Sequence, residues 1–119
     1  MCGIIGIIST KEVSNRIINS LKKLEYRGYD SAGIATLVDG NINEVKCEGR
    51  VDVLEKDISK FNLKGEIGIG HVRWATHGKP SKVNAHPHSS EQVSVVHNGI
   101  IENSTILKKL LEKKGCLLY

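Results

Sequence analysis

Apolar and polar positions along this chain alternate between strand and helix periods, and the switches mark out its elements. Residues Cys2 to Ile8 form a short, continuous apolar and β-branched run, the pattern of a buried strand. Ser9 followed three residues later by Glu12 has the form of a capping box, and Val13, Ile17, Leu21 and Leu24 then recur at helical spacing. This predicts a helix over residues 10–26, with Lys22, Lys23 and Arg27 near its negative end and Gly28 as its C′ residue. Two apolar runs, 34–38 and 42–47, flank Asp39-Gly40, a strong signal for an antiparallel hairpin. Val53, Leu54 and Ile58 suggest a short helix over 51–59, and 66–74 reads as a strand whose Gly68 and Gly70 imply close backbone approach. Residues 79–90 hold both prolines and read as loop. A strand over 93–97 should lead into the turn His97-Asn98-Gly99, where Asn-Gly favours positive φ. A last helix, capped by Asn103 or Ser104 and carrying Ile106, Leu107, Leu110 and Leu111, should stop at Gly115, with an apolar strand starting at Cys116. An apolar edge segment without a partner is a liability, so the pattern is expected of the front part of a larger domain.

Composition fits one soluble globular domain or part of one: 119 residues, 39% hydrophobic and 25% charged. The 17 Lys and Arg are scattered, in no run longer than a pair, and are not interleaved with aromatics. The net charge of +4 therefore argues for solvated helix faces rather than for nucleic acid. Cys2, Cys47 and Cys116 are too few and too widely spaced for a disulfide framework or a zinc ribbon, which implies a reducing, cytoplasmic setting. Neither an export signal nor a membrane span is legible.

Three constellations carry candidate chemistry. Cys2 follows the initiator methionine, so removal of Met1 would leave a cysteine with a thiol and a free α-amine. An α-amine with an ordinary pKa of about 7.7–8.0 is a usable base near neutrality, which makes such a residue a nucleophile with its own base. The plainer alternative is a small buried apolar residue. Arg73-Trp74-Ala75-Thr76-His77-Gly78 puts a guanidinium, an indole, a hydroxyl and an imidazole at a strand end, where the arginine could clamp a carboxylate bidentately. A core Trp74 beside a surface Arg73 ion pair would explain the same residues. Asn98-Gly99 is either a tight turn or a two-donor oxyanion hole built from an amide side chain and a backbone N–H. All five histidines, His71, His77, His86, His88 and His97, fall in one stretch, but their spacings do not make a metal site, and no cofactor is implied. Hydrogen bonds to loop backbone explain His86 and His88 better.

Five motifs in order, Cys2-Gly3-Ile4-Ile5-Gly6, the segment 24–33 around Tyr26-Arg27-Gly28-Tyr29-Asp30, the segment 70–78, Asn84-Ala85-His86-Pro87-His88 and the segment 97–103, resemble the class II glutamine amidotransferases, which are N-terminal-nucleophile hydrolases. The resemblance implies an α+β fold, the first half of a four-layer αββα sandwich, with residues 2–119 as a partial type 2 amidotransferase domain. It implies Cys2 as nucleophile and, through its amine, general base. Arg73 would hold the α-carboxylate of L-glutamine, Thr76 and His77 would line the same pocket, and Asn98 with Gly99 would form the oxyanion hole. Trp74 resembles a residue gating ammonia passage, while Arg27, Gly28, His86 and His97 match supporting positions.

Within the family, the tyrosines and Asp30 look most like the branch that hands ammonia to fructose 6-phosphate through separate sugar isomerase domains, in an enzyme expected to be a homo-oligomer. The amidophosphoribosyltransferase type and a non-catalytic truncated product are the alternatives. The resemblance also places an aspartate gripping the glutamine α-ammonium beyond Tyr119. The 119 residues alone are thus expected to bind glutamine poorly, by about 2–5 kcal/mol for one lost charge partner, and to be marginally stable.

Overall fold

The computed structural model describes residues 2–75 and 78–118. Among the described residues six strands and three helices follow one another as β1 (Gly3–Ile8), α1 (Ser14–Leu24), β2 (Ser31–Val38), β3 (Asn41–Glu48), α2 (Val51–Ile58), β4 (Ile67–Arg73), β5 (His88–Ser89), β6 (Ser94–Val95) and α3 (Ser104–Lys113). A 3-10 turn, Glu25–Arg27, separates α1 from β2. The first four strands make one antiparallel sheet in the order β1-β4-β2-β3, and β5 with β6 make a small ribbon.

The β2–β3 hairpin turns as its sequence demands. Val38 pairs with Asn41, leaving Asp39 (φ 50°) and Gly40 (φ 79°) as the two central residues, the positive-φ pair that matches strand twist. Both strands run longer than their apolar runs, because Ser31 and Glu48 continue the ladder.

One face of the sheet is covered by α1 and α2. Val13, Ile17, Ile18 and Leu21 pack with Ala32, Ile34, Val45, Cys47 and Val72, and with Val51, Leu54 and Leu63. Gly68 and Gly70 permit this approach. A Cβ at either position would stand 2.7 Å or 2.6 Å from an Ile17 methyl, so the helix could not lie where it does. Full burial of each such aliphatic side chain contributes about 1.5–3 kcal/mol. The opposite face leaves Ile4, Ile8, Leu37 and Ile67 exposed.

The structure departs from the sequence expectations at several ends. Helix α1 starts at Ser14 rather than residue 10, and Ser9 does not form a capping box. Ser9 N–H donates to the Glu66 carbonyl at 2.9 Å and Val13 N–H to the Gly65 carbonyl at 3.0 Å. The backbone of 9–13 is thus committed to the segment before β4, and the helix forms only where those bonds stop. The Ser9 hydroxyl serves Lys11 N–H and the Arg16 guanidinium instead.

Gly28 is not a left-handed C′ residue: its φ of −177° is extended. It is glycine because a Cβ would lie 2.5 Å from the Arg73 carbonyl carbon. The strand expected over 93–97 shrinks to Ser94–Val95, Asn98 and Gly99 have no positive φ, and residues 116–118 are not strand. Helix α3 does end at Gly115 (φ 86°): Gly115 N–H donates to Glu112 and Cys116 N–H to Leu111, the pair of bonds of a Schellman motif. Its apolar residues Ile106, Leu107, Leu110 and Leu111 are all exposed.

Candidate active site

Cys2 stands at the head of β1, where the antiparallel register puts Gly3 opposite Val72, and so faces the C-terminal end of β4. Its half-buried thiol contacts the backbone of the residue just past that strand: Trp74 N–H lies 3.5 Å from Sγ, and Sγ lies 3.8 Å from the Trp74 carbonyl. Arg27 Nε donates to the Cys2 carbonyl at 2.9 Å, which ties the 3-10 turn to the backbone of the candidate nucleophile. Cys2, Arg27 and the Arg73-Trp74 segment, far apart in sequence, are therefore neighbours. Gly28 lets the Arg27 turn lie flat on the Arg73–Trp74 peptide.

Arg73 is buried, with 8% of its surface exposed, which excludes the surface ion pair. Its guanidinium donates to the Lys79 and Gly78 carbonyls at 3.4 and 3.5 Å, so it orders the loop it precedes. Trp74 is not core: it is 45% exposed and meets Tyr29 edge-on, ring centroids 5.3 Å apart, while the Arg50 guanidinium lies 5.1 Å over Tyr29. Tyr29, Asp30, Trp74, Ala75, Gly78 and Pro80 line an open cavity of about 380 Å³, within the size range of small-molecule sites. The expected pocket residues Thr76 and His77 lie outside the described residues.

The histidines divide. His71 on β4 is fully buried, stacks on His86 with centroids 4.4 Å apart, and has no hydrogen-bond partner for either ring nitrogen among the described residues. Burial, then the neighbouring His86 and Arg73, push its pKa down to about 3. His86 is pushed down to about 4 by burial and by His88, whose ring lies 4.5 Å away, and His88 is itself lowered by burial. His86 Nδ1 accepts from His97 N–H at 3.3 Å, a loop-backbone bond of the kind expected for it. No described contact is a metal site: no cluster of three or more potential ligands occurs among the described residues. His71 pairs with Ile4, one pair from Cys2's neighbour Gly3, so the stack and the His86–His97 bond set the His97 backbone beside this end of the sheet, whereas no described hydrogen bond joins Asn98 or Gly99 to Cys2. Asn98 and Gly99 themselves are exposed.

Two residues to which sequence reasoning assigned no site role lie among these contacts. Asp30 Oδ2 accepts from Ala75 N–H, and Asp30 N–H donates to the Arg73 carbonyl at 3.2 Å. His71 lies beneath the loop histidines. Asp30 sat within a quoted motif and could have been flagged as a turn carboxylate; His71, midway along an apolar strand, carried only the signal of being an imidazole where a core residue belongs.

Comparison with known proteins decides the affiliation. The chain is 54% identical over all 119 residues to a glutamine–fructose-6-phosphate aminotransferase (isomerising) of Bradyrhizobium diazoefficiens, of which it covers 20%. It is 58% identical over 117 residues to the enzyme of that name from Francisella tularensis and 56% over 117 residues to that of Clostridium acetobutylicum, covering 97% of this chain and 19% of each relative. It therefore spans about a fifth of the length of these relatives. No family model matches.

Among solved structures, the glutamine phosphoribosylpyrophosphate amidotransferase of B. subtilis, complexed with ADP and GMP, superposes with a TM-score of 0.80 at 28% identity over the whole chain and 26% of its own. A second, described as the allosteric regulatory enzyme of purine biosynthesis, gives 0.84 at 28% identity with the same coverages. Over its whole length the chain is similar to the class II glutamine amidotransferases. Its antiparallel sheet with helices is the fold of their N-terminal-nucleophile-type glutamine amidotransferase domain. Among the described residues no helix is long and apolar enough to cross a membrane.

Proposed function

We propose that this chain carries the glutaminase half of a glucosamine-6-phosphate-forming aminotransferase, with residues 2–119 as part of a type 2 amidotransferase domain. The observation that carries the reading is the convergence of Cys2, Arg27 and the Arg73-Trp74 strand end at one edge of the sheet. After Met1 is removed, the Cys2 α-amine takes the thiol proton and the sulfur attacks the side-chain carbonyl of L-glutamine. Asn98 and the Gly99 N–H hold the developing oxyanion. The carbon–nitrogen bond then breaks, the amine returns the proton to the departing nitrogen, and ammonia leaves a thioester that water hydrolyses to glutamate. Arg73 supplies the charge for the glutamine α-carboxylate, with Thr76 and His77 beside it, and Trp74 borders the route by which ammonia departs. Arg27, Gly28, His86 and His97 support these groups.

Identities of 54–58% to aminotransferases, against 28% to purine-pathway enzymes, favour fructose 6-phosphate as the acceptor, in a homo-oligomeric cytoplasmic enzyme of hexosamine synthesis. The test combines intact mass with a diazo-ketone glutamine analogue. Loss of Met1 and labelling at Cys2, with glucosamine 6-phosphate formed from glutamine and fructose 6-phosphate, are the expected results. A retained Met1 or an unlabelled Cys2 sinks the nucleophile, and an acceptor other than the sugar phosphate sinks the branch.

A further inference from the structure

Asp30 uses every hydrogen-bonding group it has, and all of them converge on the end of the sheet where Cys2 stands. Its backbone N–H donates to the Arg73 carbonyl at 3.2 Å, and its carbonyl accepts from Gly49 N–H at 2.8 Å. Its Oδ1 accepts from the Ser31 hydroxyl at 3.1 Å, and Oδ2 from Ala75 N–H. The residue between its two β4-side partners is Trp74, whose own N–H lies against the Cys2 sulfur. One residue thus spans the peptide that Cys2 touches, holding it on one side by its backbone N–H and on the other by its carboxylate.

We propose that Asp30 is the positioning residue of the nucleophile, fixing the Arg73–Ala75 backbone so that Trp74 N–H and the side chain of Arg73 keep their places relative to Cys2 Sγ. The inference rests on the reading of Cys2 as the nucleophile. A charge-assisted bond to a backbone N–H is the strong kind. Beyond the segment it holds, Gly78 and Lys79 have no regular secondary structure, and the Arg73 guanidinium fastens their carbonyls. Reacting groups are sensitive to such placement: a shift of about 1 Å can cost about 100-fold in rate.

The experiment uses the full-length protein carrying this chain. Asp30→Ala should lower kcat for glutamate release about 10–100-fold while changing KM by less than about threefold, the signature of lost placement rather than lost binding. Labelling of Cys2 by the diazo-ketone analogue should slow by the same factor at a temperature where parent and variant are both fully folded. Asp30→Asn keeps a carbonyl oxygen for Ala75 N–H and should stay within about threefold of the parent kcat. If the alanine variant does not fold, Asp30→Ser, too short to reach Ala75, takes its place with the same expectation. Parent-like turnover in the alanine or serine variant, a loss confined to KM, or an asparagine variant as impaired as alanine overturns the proposal. Cys2→Ala separates the two readings: glutamate release surviving it defeats the nucleophile itself, whereas a Cys2-dependent enzyme indifferent to Asp30 defeats only the positioning role.

Discussion

The guanidinium of Arg27 and the backbone carbonyl of Cys2 are joined by a 2.9 Å hydrogen bond across 25 residues of sequence. The bond fastens the first residue of β1's approach to the turn that ends α1, so the position of the thiol depends on a residue that never touches it. A bond from a charged donor contributes about 1.5–3 kcal/mol.

Arg27→Ala should therefore reduce kcat for glutamate release about 10–100-fold, as the anchoring energy converts to barrier height. Arg27→Lys should recover only part of it, because an ammonium lacks the fixed Nε geometry. Steady-state glutaminase assays on both variants check this; equal activity of arginine and alanine forms would show that the bond does not govern the thiol.

Gly70 lies under Ile17, and a methyl group there would stand 2.6 Å from Ile17 Cγ2 and 3.1 Å from Leu21 Cδ1. Gly70→Ala must push α1 off the sheet or distort β4. Overpacking of this kind costs about 1–3 kcal/mol, and in the double variant Gly70→Ala with Ile17→Ala, which removes the clashing Cγ2, the lowering of the urea midpoint should be smaller than the sum of the two single losses. Additive losses in the double variant would show that the two positions are not in contact.

At the β2–β3 turn the test is conformational. Gly40 has φ 79° with open space where a Cβ would be, so only backbone strain opposes a side chain there. Gly40→Val should cost about 1–2 kcal/mol, read from urea unfolding, whereas Asp39→Asn should leave stability unchanged because asparagine adopts φ 50° as readily. A valine variant as stable as the parent would mean that the turn rearranges freely.

The elements that local pattern dictates were legible: the hairpin at Asp39-Gly40, α2, β4 with its helix-facing glycines, and the Gly115 stop of α3. Those set by distant partners were not. Ser9 reads as a cap, yet its N–H and that of Val13 are taken by Glu66 and Gly65, contacts invisible to a local reading. Gly28 reads as a helix stop, and its actual reason is the Arg73 peptide 45 residues away. The candidate nucleophile and arginine came from residue type and family resemblance, and their proximity follows from the Gly3–Val72 register, which no spacing rule supplies. Asp30 was legible only as a mark of the branch, because what it does here is a contact with Ala75, not a chemistry its side chain announces.

The histidine stack gives the molecule an acid limit. His71 is fully buried with both ring nitrogens unpartnered among the described residues, and its folded pKa of about 3 lies well below the ordinary 6.5. The groups facing it are His86, Arg73 and His88, with the His97 backbone nearby, while Lys46 and Glu44 lie against His86 and His88. A lowered folded pKa means that the unfolded chain binds the proton more readily. Stability is then whole above pH 6.5 and falls as pH drops towards 3, by up to about 1.4 kcal/mol per pH unit for His71. His86 adds in the same direction, and its protonation also removes the Nδ1 lone pair that accepts His97 N–H. Urea unfolding between pH 7 and pH 4 should show this slope in the parent protein, and His71→Phe, which keeps a ring in the stack but cannot take up a proton, should flatten it. The same slope in both proteins would place the acid sensitivity elsewhere, in the carboxylates rather than in the imidazole beneath the loop.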